Sequence, residues 1–285
     1  MMKTKGIIAI NKPKDWTSFD VVNKIKYKLK PLKVGHLGTL DPMTTGVLLV
    51  TVGKATKLFD IMQEKVKAYV AEFEFGYETD TLDVTGVKTA ETTTIPTLEL
   101  IQSAIGSFIG SISQIPPKYS AKSINGVRAY ELARNNIEFE IKPKQVEIYE
   151  LNVISYKSNV LKIEIKCGSG TYIRSIGRDL AYKLNSLATM TSLVRTKVGS
   201  INLNETISIS KETTKEELES SIIDVSKMLQ FKELTVNNEI SKRILNGQTV
   251  QIELENGNYC LLENSEVVAI VRIENNKAKM SIFLD

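Results

Sequence analysis

Hydrophobic and polar residues alternate along several stretches of the chain, a pattern typical of strands with one buried face. The clearest stretch covers residues 160–167, where Leu161, Ile163 and Ile165 alternate with lysine and glutamate. Similar runs predict strands at residues 7–10, 47–52, 68–75 and 146–155. The chain is therefore expected to contain a sheet that packs one of its faces against a core.

Apolar residues at spacings of three and four predict three helices, over residues 18–29, 98–108 and 173–184. In the third, Ile173, Ile176 and Leu180 form one stripe that would be buried. Because the predicted strands and helices are interleaved, the expected fold class is α+β or mixed α/β, with a sheet that carries helices.

Residues 114–145 differ from the chain around them. They contain two adjacent prolines, an Asn125-Gly126 turn signal and one short helical stretch at 127–134, with six basic residues against three acidic ones. The segment is too polar to form a core of its own. We therefore expect it to be a mobile lobe above a functional site.

The C-terminal part of the chain is predicted to begin beyond a surface helix. Residues 210–228 are rich in Lys and Glu, and Thr213 and Glu216 have the spacing of a capping box. Four short strand patterns follow, separated by turn signals, at residues 250–254, 259–262, 267–273 and 278–284. These features predict a small β-rich unit after residue 230.

Composition narrows the possible classes of protein. The 285 residues are 42% hydrophobic and 25% charged, as in ordinary globular proteins, and no stretch approaches ~20 apolar residues. No apolar signal-peptide core is present either, so the expected location is cytoplasmic, without a membrane span. Cys167 and Cys260 are isolated and the chain has a single histidine, so no metal centre and no disulfide are expected.

The net charge of +4 is unevenly placed. Most of it comes from residues 114–145, and a second basic run, Lys24, Lys26, Lys28, Lys30 and Lys33, follows the polar side of the first predicted helix. The pattern leaves open a solvated helix face. Nucleic acid is the partner that would use both basic regions.

One loop with three glycines, residues 35–46, contains the only histidine of the chain, His36, five residues before Asp41. Pro42 restricts the backbone directly after the carboxylate, and the apolar run at 47–52 follows. A carboxylate on a rigid turn beside a buried strand suits catalysis. The residues alone leave open that Asp41 only caps a local turn.

This loop resembles the catalytic motif Gly-His-Thr-Gly-Thr-Leu-Asp-Pro of the TruB family, the tRNA pseudouridine synthases. Other segments resemble further motifs of that family, in the same order: residues 11–18, 53–57, 67–69, 76–83 and 170–174. Leu37 in place of the usual threonine and Asp15 in place of a glycine are two departures. Asp tolerates left-handed backbone angles, so the turn at Asp15 is expected to survive.

The resemblance implies a pseudouridine synthase fold of the α+β class. Residues 1–230 would form a mixed, mainly antiparallel sheet with flanking helices, and residues 231–285 a PUA-like RNA-binding domain. The implied reaction converts uridine to pseudouridine at tRNA position 55, in the TΨC arm, after the target base has flipped out of its stack. The insertion at 114–145 would clasp the RNA.

An isomerisation of this kind needs no cofactor. No guide RNA is expected, because the guide-dependent relatives usually carry extensions before the first motif, which here begins at Asn11. A monomer is expected, because no interface signal stands out in the sequence.

The resemblance also implies roles for nine residues. Asp41 would be the catalytic aspartate, Arg174 would pair with it and keep it ionised, and Tyr69 would stack on the flipped uracil. The expected substrate-binding residues are His36, in the space left by the flipped base, Tyr172 and Leu193 on the pocket wall, Lys12 and Lys57 at phosphates, and Asp83, which would contact RNA or fix a turn.

Other interpretations remain open at this stage. Without the resemblance, Tyr69 and Leu193 are more often core residues and Arg174 a surface residue. The chain could also be an RNA-binding protein that helps tRNA fold, or the guide-RNA-dependent catalytic subunit of a ribonucleoprotein. A glycoside hydrolase would need a second carboxylate opposite Asp41, whereas the partner implied here is an arginine.

Overall fold

The computed structural model describes residues 4–62, 66–229 and 231–284. The strands within them are β1 (Gly6–Lys12), β2 (Val34–Leu37), β3 (Thr45–Val52), β4 (Lys67–Phe75), β5 (Tyr77–Thr79), β6 (Lys88–Glu91), β7 (Gly110–Gln114), β8 (Ser123–Ile124), β9 (Val127–Arg128), β10 (Lys144–Lys157), β11 (Val160–Cys167), β12 (Ala188–Val198), β13 (Ile201–Asn202), β14 (Ile207–Ser208), β15 (Lys232–Leu234), β16 (Val250–Gln251), β17 (Gly257–Glu263), β18 (Glu266–Glu274) and β19 (Lys277–Phe283).

The helices in the same residues are α1 (Ser18–Lys28), α2 (Phe59–Met62), α3 (Leu98–Ile105), α4 (Ala129–Arg134), α5 (Ile173–Lys183), α6 (Lys215–Ser220), α7 (Ser226–Leu229) and α8 (Asn238–Leu245). No described helix combines the length and the apolar composition needed to cross a membrane.

The chain divides into two compact units. The first contains Met1–Pro42, Gly46–Glu64 and Gly199–Asp285, and the second contains Met43–Thr45 and Lys65–Val198. The domain boundary predicted at residue 230 falls on a residue outside the described ranges, and it stays a prediction.

The second unit is built on an antiparallel sheet with the strand order β12-β4-β11-β10-β7. Along β4, alternate positions from Tyr69 to Phe75 are buried, and the positions between them are partly exposed. Helices α3 and α5 contribute to the same core as the buried face of β4. The antiparallel sheet with flanking helices confirms the expected α+β class.

Helix α5 lies close against β4 at Gly177. A Cβ at this position would be 2.2 Å from two ring carbons of Phe73, closer than such atoms can approach. The missing side chain of Gly177 therefore allows α5, which begins directly after Tyr172 and contains Arg174, to pack on the sheet.

In the first unit, β1 lies between β3, to which it is antiparallel, and β14, to which it is parallel. Strand β2 pairs with β3 in the antiparallel direction. The apolar side of α1 packs on these strands in a core that includes Ile8, Ile25 and Leu40. This core supports the loop from β2 to β3, which contains Asp41.

A separate five-stranded sheet ends the chain, in the order β15-β17-β18-β19-β16. All of its pairings are antiparallel except that of β15 with β17, and α8 contributes to its core. Asn275 and Asn276, both at positive φ, form the predicted turn between β18 and β19. The small β-rich unit expected at the C-terminus is confirmed, and it is consistent with a PUA-like domain.

The surface helix expected within residues 210–228 is present but short, as α6 over Lys215–Ser220, and a second short helix, α7, follows. Ile223 pairs with Ile7 through two backbone hydrogen bonds of 2.8 and 2.9 Å, so the chain is extended between α6 and α7. The capping box also lies one residue later than predicted, with Thr214 as the cap of α6 and Glu217 as its partner.

The segment at 114–145 contains the turn that its sequence predicts. Asn125 and Gly126, with φ of 49° and 88°, connect β8 to β9. The helix predicted at 127–134 begins two residues later, as α4, because residues 127 and 128 form β9.

Candidate active site

The nine residues expected at the site are divided between the two units. The first unit contains Lys12, His36, Asp41 and Lys57, and the second contains Tyr69, Asp83, Tyr172, Arg174 and Leu193.

The residue before Asp41 is held at both of its backbone polar groups. Ser18 Oγ accepts a hydrogen bond from Leu40 N at 2.9 Å and donates one to Leu40 O at 3.3 Å. Ser18 is the first residue of α1, which Thr17 caps in a capping box with Asp20. The start of α1 therefore fixes the chain just ahead of the candidate catalytic carboxylate.

The residue on the other side, Pro42, is held as well. Its carbonyl accepts hydrogen bonds from Lys12 Nζ at 3.0 Å and from Asp15 N at 2.8 Å. Lys12 is fully buried, and its Nζ also donates to the carbonyls of Pro13, at 2.9 Å, and Trp16, at 2.5 Å. The buried ammonium group of Lys12, among three carbonyl oxygens, supports the loop. This supporting role differs from the phosphate contact expected for Lys12.

The two departures from the family motifs both fit the structure. Asp15 has a φ of 67°, which confirms that it adopts the left-handed turn. Leu37 is 4% exposed and is opposite Leu49 in the pairing of β2 with β3. It therefore adds apolar packing where the family pattern has a hydroxyl group. His36, next to it, is partly buried.

Tyr69 and Leu193 lie in the buried core of the second unit. Each is 7% exposed, and Met43, two residues after Asp41 in the sequence, belongs to the same apolar cluster. Both residues therefore pack as core residues, which is the alternative considered for them from the sequence. Their roles toward a flipped base stay predictions.

Two basic residues outside the nine expected at the site lie beside Tyr69. Arg195 is directly opposite Tyr69 in the pairing of β12 with β4 and is 1% exposed, and Lys67 precedes Tyr69 by two residues. Such positions share one face of a sheet. Burial, together with the charge of Arg195, lowers the pKa of Lys67 from 10.5 to about 8. The sequence contains one sign of this arrangement. Arg195 follows Leu193 by two residues, and residues at this spacing lie on the same face of a strand.

Arg174 joins three segments of the second unit. Its Nη1 donates to Thr81 O at 2.8 Å, and its Nη2 donates to Tyr119 O at 3.0 Å. Asp83 Oδ2 lies 3.5 Å from Nη1, and both side chains are buried. A planar guanidinium group can satisfy several fixed acceptors at once, in a geometry that a lysine does not reproduce.

Asp83 also organises its own turn. Its Oδ1 accepts hydrogen bonds from Thr81 Oγ1 and Thr85 N, each at 2.9 Å. Asp83 is 3% exposed. These contacts are those of a residue that fixes a turn, which is one of the two roles considered for it.

The backbone of Tyr172 is held by a residue that the sequence analysis missed. Tyr172 N donates to Gln114 Oε1 at 2.8 Å, and Gln114 Nε2 donates to Tyr172 O at 3.1 Å. Gln114 is 1% exposed and ends β7. No sequence pattern distinguishes it from the many glutamines that lie on protein surfaces.

Lys57 contacts the C-terminal sheet. Its Nζ donates to Phe283 O at 3.1 Å, and the Nζ of Lys54 lies 4.7 Å from the centroid of the Phe283 ring. Lys57 is otherwise exposed. Its predicted contact with phosphate stays a prediction.

The fold is similar to that of chains in solved structures. A structure described as the crystal structure of a Cbf5-Nop10-Gar1 complex matches with a TM-score of 0.71 at 21% identity, covering 99% of this chain and 84% of that chain. The structure of an H/ACA RNP bound to a substrate RNA containing 2'-deoxyuridine matches with a TM-score of 0.71 at 19% identity, covering 98% and 85%. By fold, the protein is of the same α+β class as these chains.

Sequence comparison identifies the family. Residues 24–173 match the TruB family pseudouridylate synthase (N terminal domain), and the chain belongs to this family. It is 40% identical to tRNA pseudouridine synthase B of Borreliella afzelii over 282 residues, 97% of this chain and 98% of that protein. The enzyme of that name from Fusobacterium nucleatum is 41% identical, covering 95% and 96%, and the one from Ureaplasma urealyticum is 48% identical, covering 72% and 91%.

Proposed function

We propose that this protein converts uridine to pseudouridine at position 55 of tRNA, in the TΨC arm, with Asp41 as the catalytic aspartate. Relatives that are 40% to 48% identical to it carry the name tRNA pseudouridine synthase B. The observation that carries the proposal is the anchoring of Leu40 and Pro42, which fixes the backbone on both sides of Asp41.

The reaction exchanges one bond for another within the substrate. The bond from ribose C1′ to uracil N1 breaks, the detached base turns, and C1′ bonds to C5, which loses its proton while N1 gains one. The first step needs a carboxylate that acts on the sugar or the base, in a site that keeps water away from the detached uracil. A carboxylate on a fixed backbone suits this step, because little freedom remains to be lost in the transition state.

Tyr69 and Arg174 are the other two catalytic side chains in this proposal. The nearly buried ring of Tyr69 would stack on the flipped uracil, since flipped bases are commonly held between aromatic and apolar side chains. We assign His36, Tyr172, Leu193 and Lys57 to substrate binding. Lys12 and Asp83 have supporting roles, because both are buried and already bind neighbouring groups.

The proposed partner is tRNA alone, without a guide RNA, a cofactor or a second subunit, and the proposed location is the cytoplasm. RNA hairpin loops are recognised by shape, stacking and backbone charge. The excess of positive charge in residues 114–145 and the exposed Lys26 and Lys30 near α1 would supply contacts to phosphates.

The test measures pseudouridine by mass spectrometry of nuclease fragments, after an unmodified tRNA transcript has been incubated with the protein. The variants are Asp41→Asn and, as the matched control, Asp60→Asn, which changes an exposed carboxylate on α2. We expect conversion at position 55 by the wild type and by Asp60→Asn, and a loss of more than about 10³-fold in Asp41→Asn.

Three outcomes would contradict parts of this proposal. Conversion at another uridine would exclude position 55, and activity retained in Asp41→Asn would exclude the role of Asp41. A wild-type protein that binds tRNA tightly but forms no pseudouridine would favour the tRNA-folding function instead.

A further inference from the structure

Hydrogen bonds fasten the start of the 114–145 insertion to the beginning of α5. The carboxamide of Gln114 accepts from Tyr172 N at 2.8 Å and donates to Tyr172 O at 3.1 Å. One residue further on, the carbonyl of Ile115 accepts from Ser175 Oγ and from Arg178 Nη2, each at 2.9 Å. The insertion therefore cannot shift at its base without disturbing the first turns of α5.

A second connection reaches the proposed catalytic arginine. Arg174 Nη2 donates to the carbonyl of Tyr119, five residues after Gln114, at 3.0 Å. The hydroxyl of Tyr119 in turn donates to Asp80 Oδ2 at 3.1 Å. The same short stretch of the insertion thus holds the backbone at Tyr172 and the side chain of Arg174.

The carboxamide of Gln114 is matched to this place by its chemistry. It offers one acceptor and one donor to the N–H and C=O groups of a single residue, Tyr172. An asparagine would be one methylene too short, and an ionised glutamate would have no donor for the Tyr172 carbonyl. With 1% of its surface exposed, Gln114 lies beyond reach of a bound RNA.

We propose that Gln114 is a positioning residue for the isomerisation, which holds Tyr172 and the first turn of α5 in register with the RNA-clasping insertion. This inference rests on the proposed function. Loss of the two hydrogen bonds would leave the positive charges that bind tRNA in place, while Tyr172 and Arg174 would no longer be held in the reactive arrangement. The defect should therefore fall on the rate of the bound complex and spare the affinity for tRNA.

The test compares two variants with matched controls. Gln114→Met keeps the length of the side chain and removes both hydrogen bonds, and Gln114→Glu keeps the shape and removes the donor. Gln102→Met and Gln102→Glu make the same changes at an exposed position of α3. Single-turnover rates at saturating tRNA, dissociation constants for tRNA and circular dichroism at the assay temperature are measured for each.

We expect Gln114→Met to reduce the single-turnover rate at least about tenfold, with a tRNA dissociation constant within about twofold of the wild type and an unchanged folded fraction. For Gln114→Glu, the rate relative to the wild type should recover as the pH falls. A protonated carboxyl group again has an O–H donor and a C=O acceptor. Burial favours this neutral form, whereas Lys144, directly opposite position 114 in the pairing of β7 with β10, favours the ionised form. The Gln102 variants should behave as the wild type at every pH.

The inference fails if Gln114→Met retains the wild-type single-turnover rate, if its loss is confined to tRNA affinity, or if the loss follows the unfolded fraction. It also fails if Gln114→Glu is slow at high pH and its rate relative to the wild type does not recover as the pH falls. Failure of the proposed function is distinguishable from these results, because in that case the wild-type protein itself would form no pseudouridine.

Discussion

Lys67 places a positive charge on the buried face of β4, where burial lowers the pKa of its ammonium group from 10.5 to about 8. Between these two pH values, the unfolded chain holds a proton that the folded protein has released. The free energy of unfolding therefore gains a contribution that rises with pH between pH 8 and pH 10.5. Below pH 8, the buried charge costs stability.

Methionine has no charge to bury, so Lys67→Met should gain stability where the lysine is charged. We expect the free energy of unfolding of Lys67→Met, minus that of the wild type, to be higher at pH 7 than near pH 10 by up to about 3 kcal/mol. Denaturant unfolding at several pH values across this range measures the difference. Lys157→Met, at an exposed lysine of the same unit, is the control. A difference between wild type and Lys67→Met that stays constant with pH would contradict the argument.

The positions that support the candidate site show which residues a sequence can reveal. Asp41 became a candidate because the glycines, the proline and the apolar run that mark its loop are all local, and the resemblance to the TruB motif favoured a catalytic role over that of a turn cap. Lys12 and Gln114 could not be given their roles, because their partners Pro42 and Tyr172 lie 30 and 58 residues away. No local pattern records a hydrogen bond across such a separation.

Two helices of the first unit begin with the same capping arrangement, but only one of them holds the Asp41 loop. Thr17 caps α1 and Thr214 caps α6, each with an acidic partner three residues later. The first residue of α1, Ser18, binds both backbone polar groups of Leu40. Substitutions at the two caps therefore distinguish a loss of protein stability alone from a displacement of the Asp41 loop.

We expect Thr17→Ala and Thr214→Ala each to lower the free energy of unfolding by about 1 kcal/mol. Only Thr17→Ala should also slow pseudouridine formation in the folded protein, because a frayed first turn of α1 loosens the contact of Ser18 with Leu40. Thermal unfolding and single-turnover rates measure the two effects. Equal slowing by both variants would show that the start of α1 has no special connection to catalysis.

Among the elements, those with an uninterrupted period were predictable. β11 coincides with the strand predicted at 160–167, and α5 ends one residue before the helix predicted at 173–184. β12 was not predicted, because two register shifts against β4 break the alternation of buried and exposed positions along it. The long strand that contains Arg195 therefore has no clean period of two.

The net charge of +4 understates the attraction of the protein for RNA, because the positive charge is concentrated in residues 114–145. Lysines that neutralise phosphates release condensed cations, so the affinity for tRNA falls as salt rises. The steepness of this fall counts the contacts that the protein makes with phosphates.

We expect Lys118→Ala combined with Lys142→Ala to reduce the slope of log affinity against log salt by about 1.4 to 1.8, since both lysines are exposed in the insertion and each phosphate contact contributes about 0.7 to 0.9. Lys157→Ala combined with Lys183→Ala removes the same charge from exposed positions outside it and should keep the wild-type slope. Filter binding over a series of KCl concentrations gives both slopes. Equal reduction in the two double variants would refute a specific role of the insertion.

The anchors on Leu40 and Pro42 determine which molecule changes shape during the proposed reaction. The conformational freedom of the Asp41 backbone is lost once, when the protein folds, and is not lost again at each encounter with RNA. The distortion that brings a uridine to the carboxylate must then come from the RNA. Selectivity among uridines would then depend on how easily each one leaves its stack. With a fixed protein loop, uridines in flexible parts of the RNA would react in preference to firmly stacked ones.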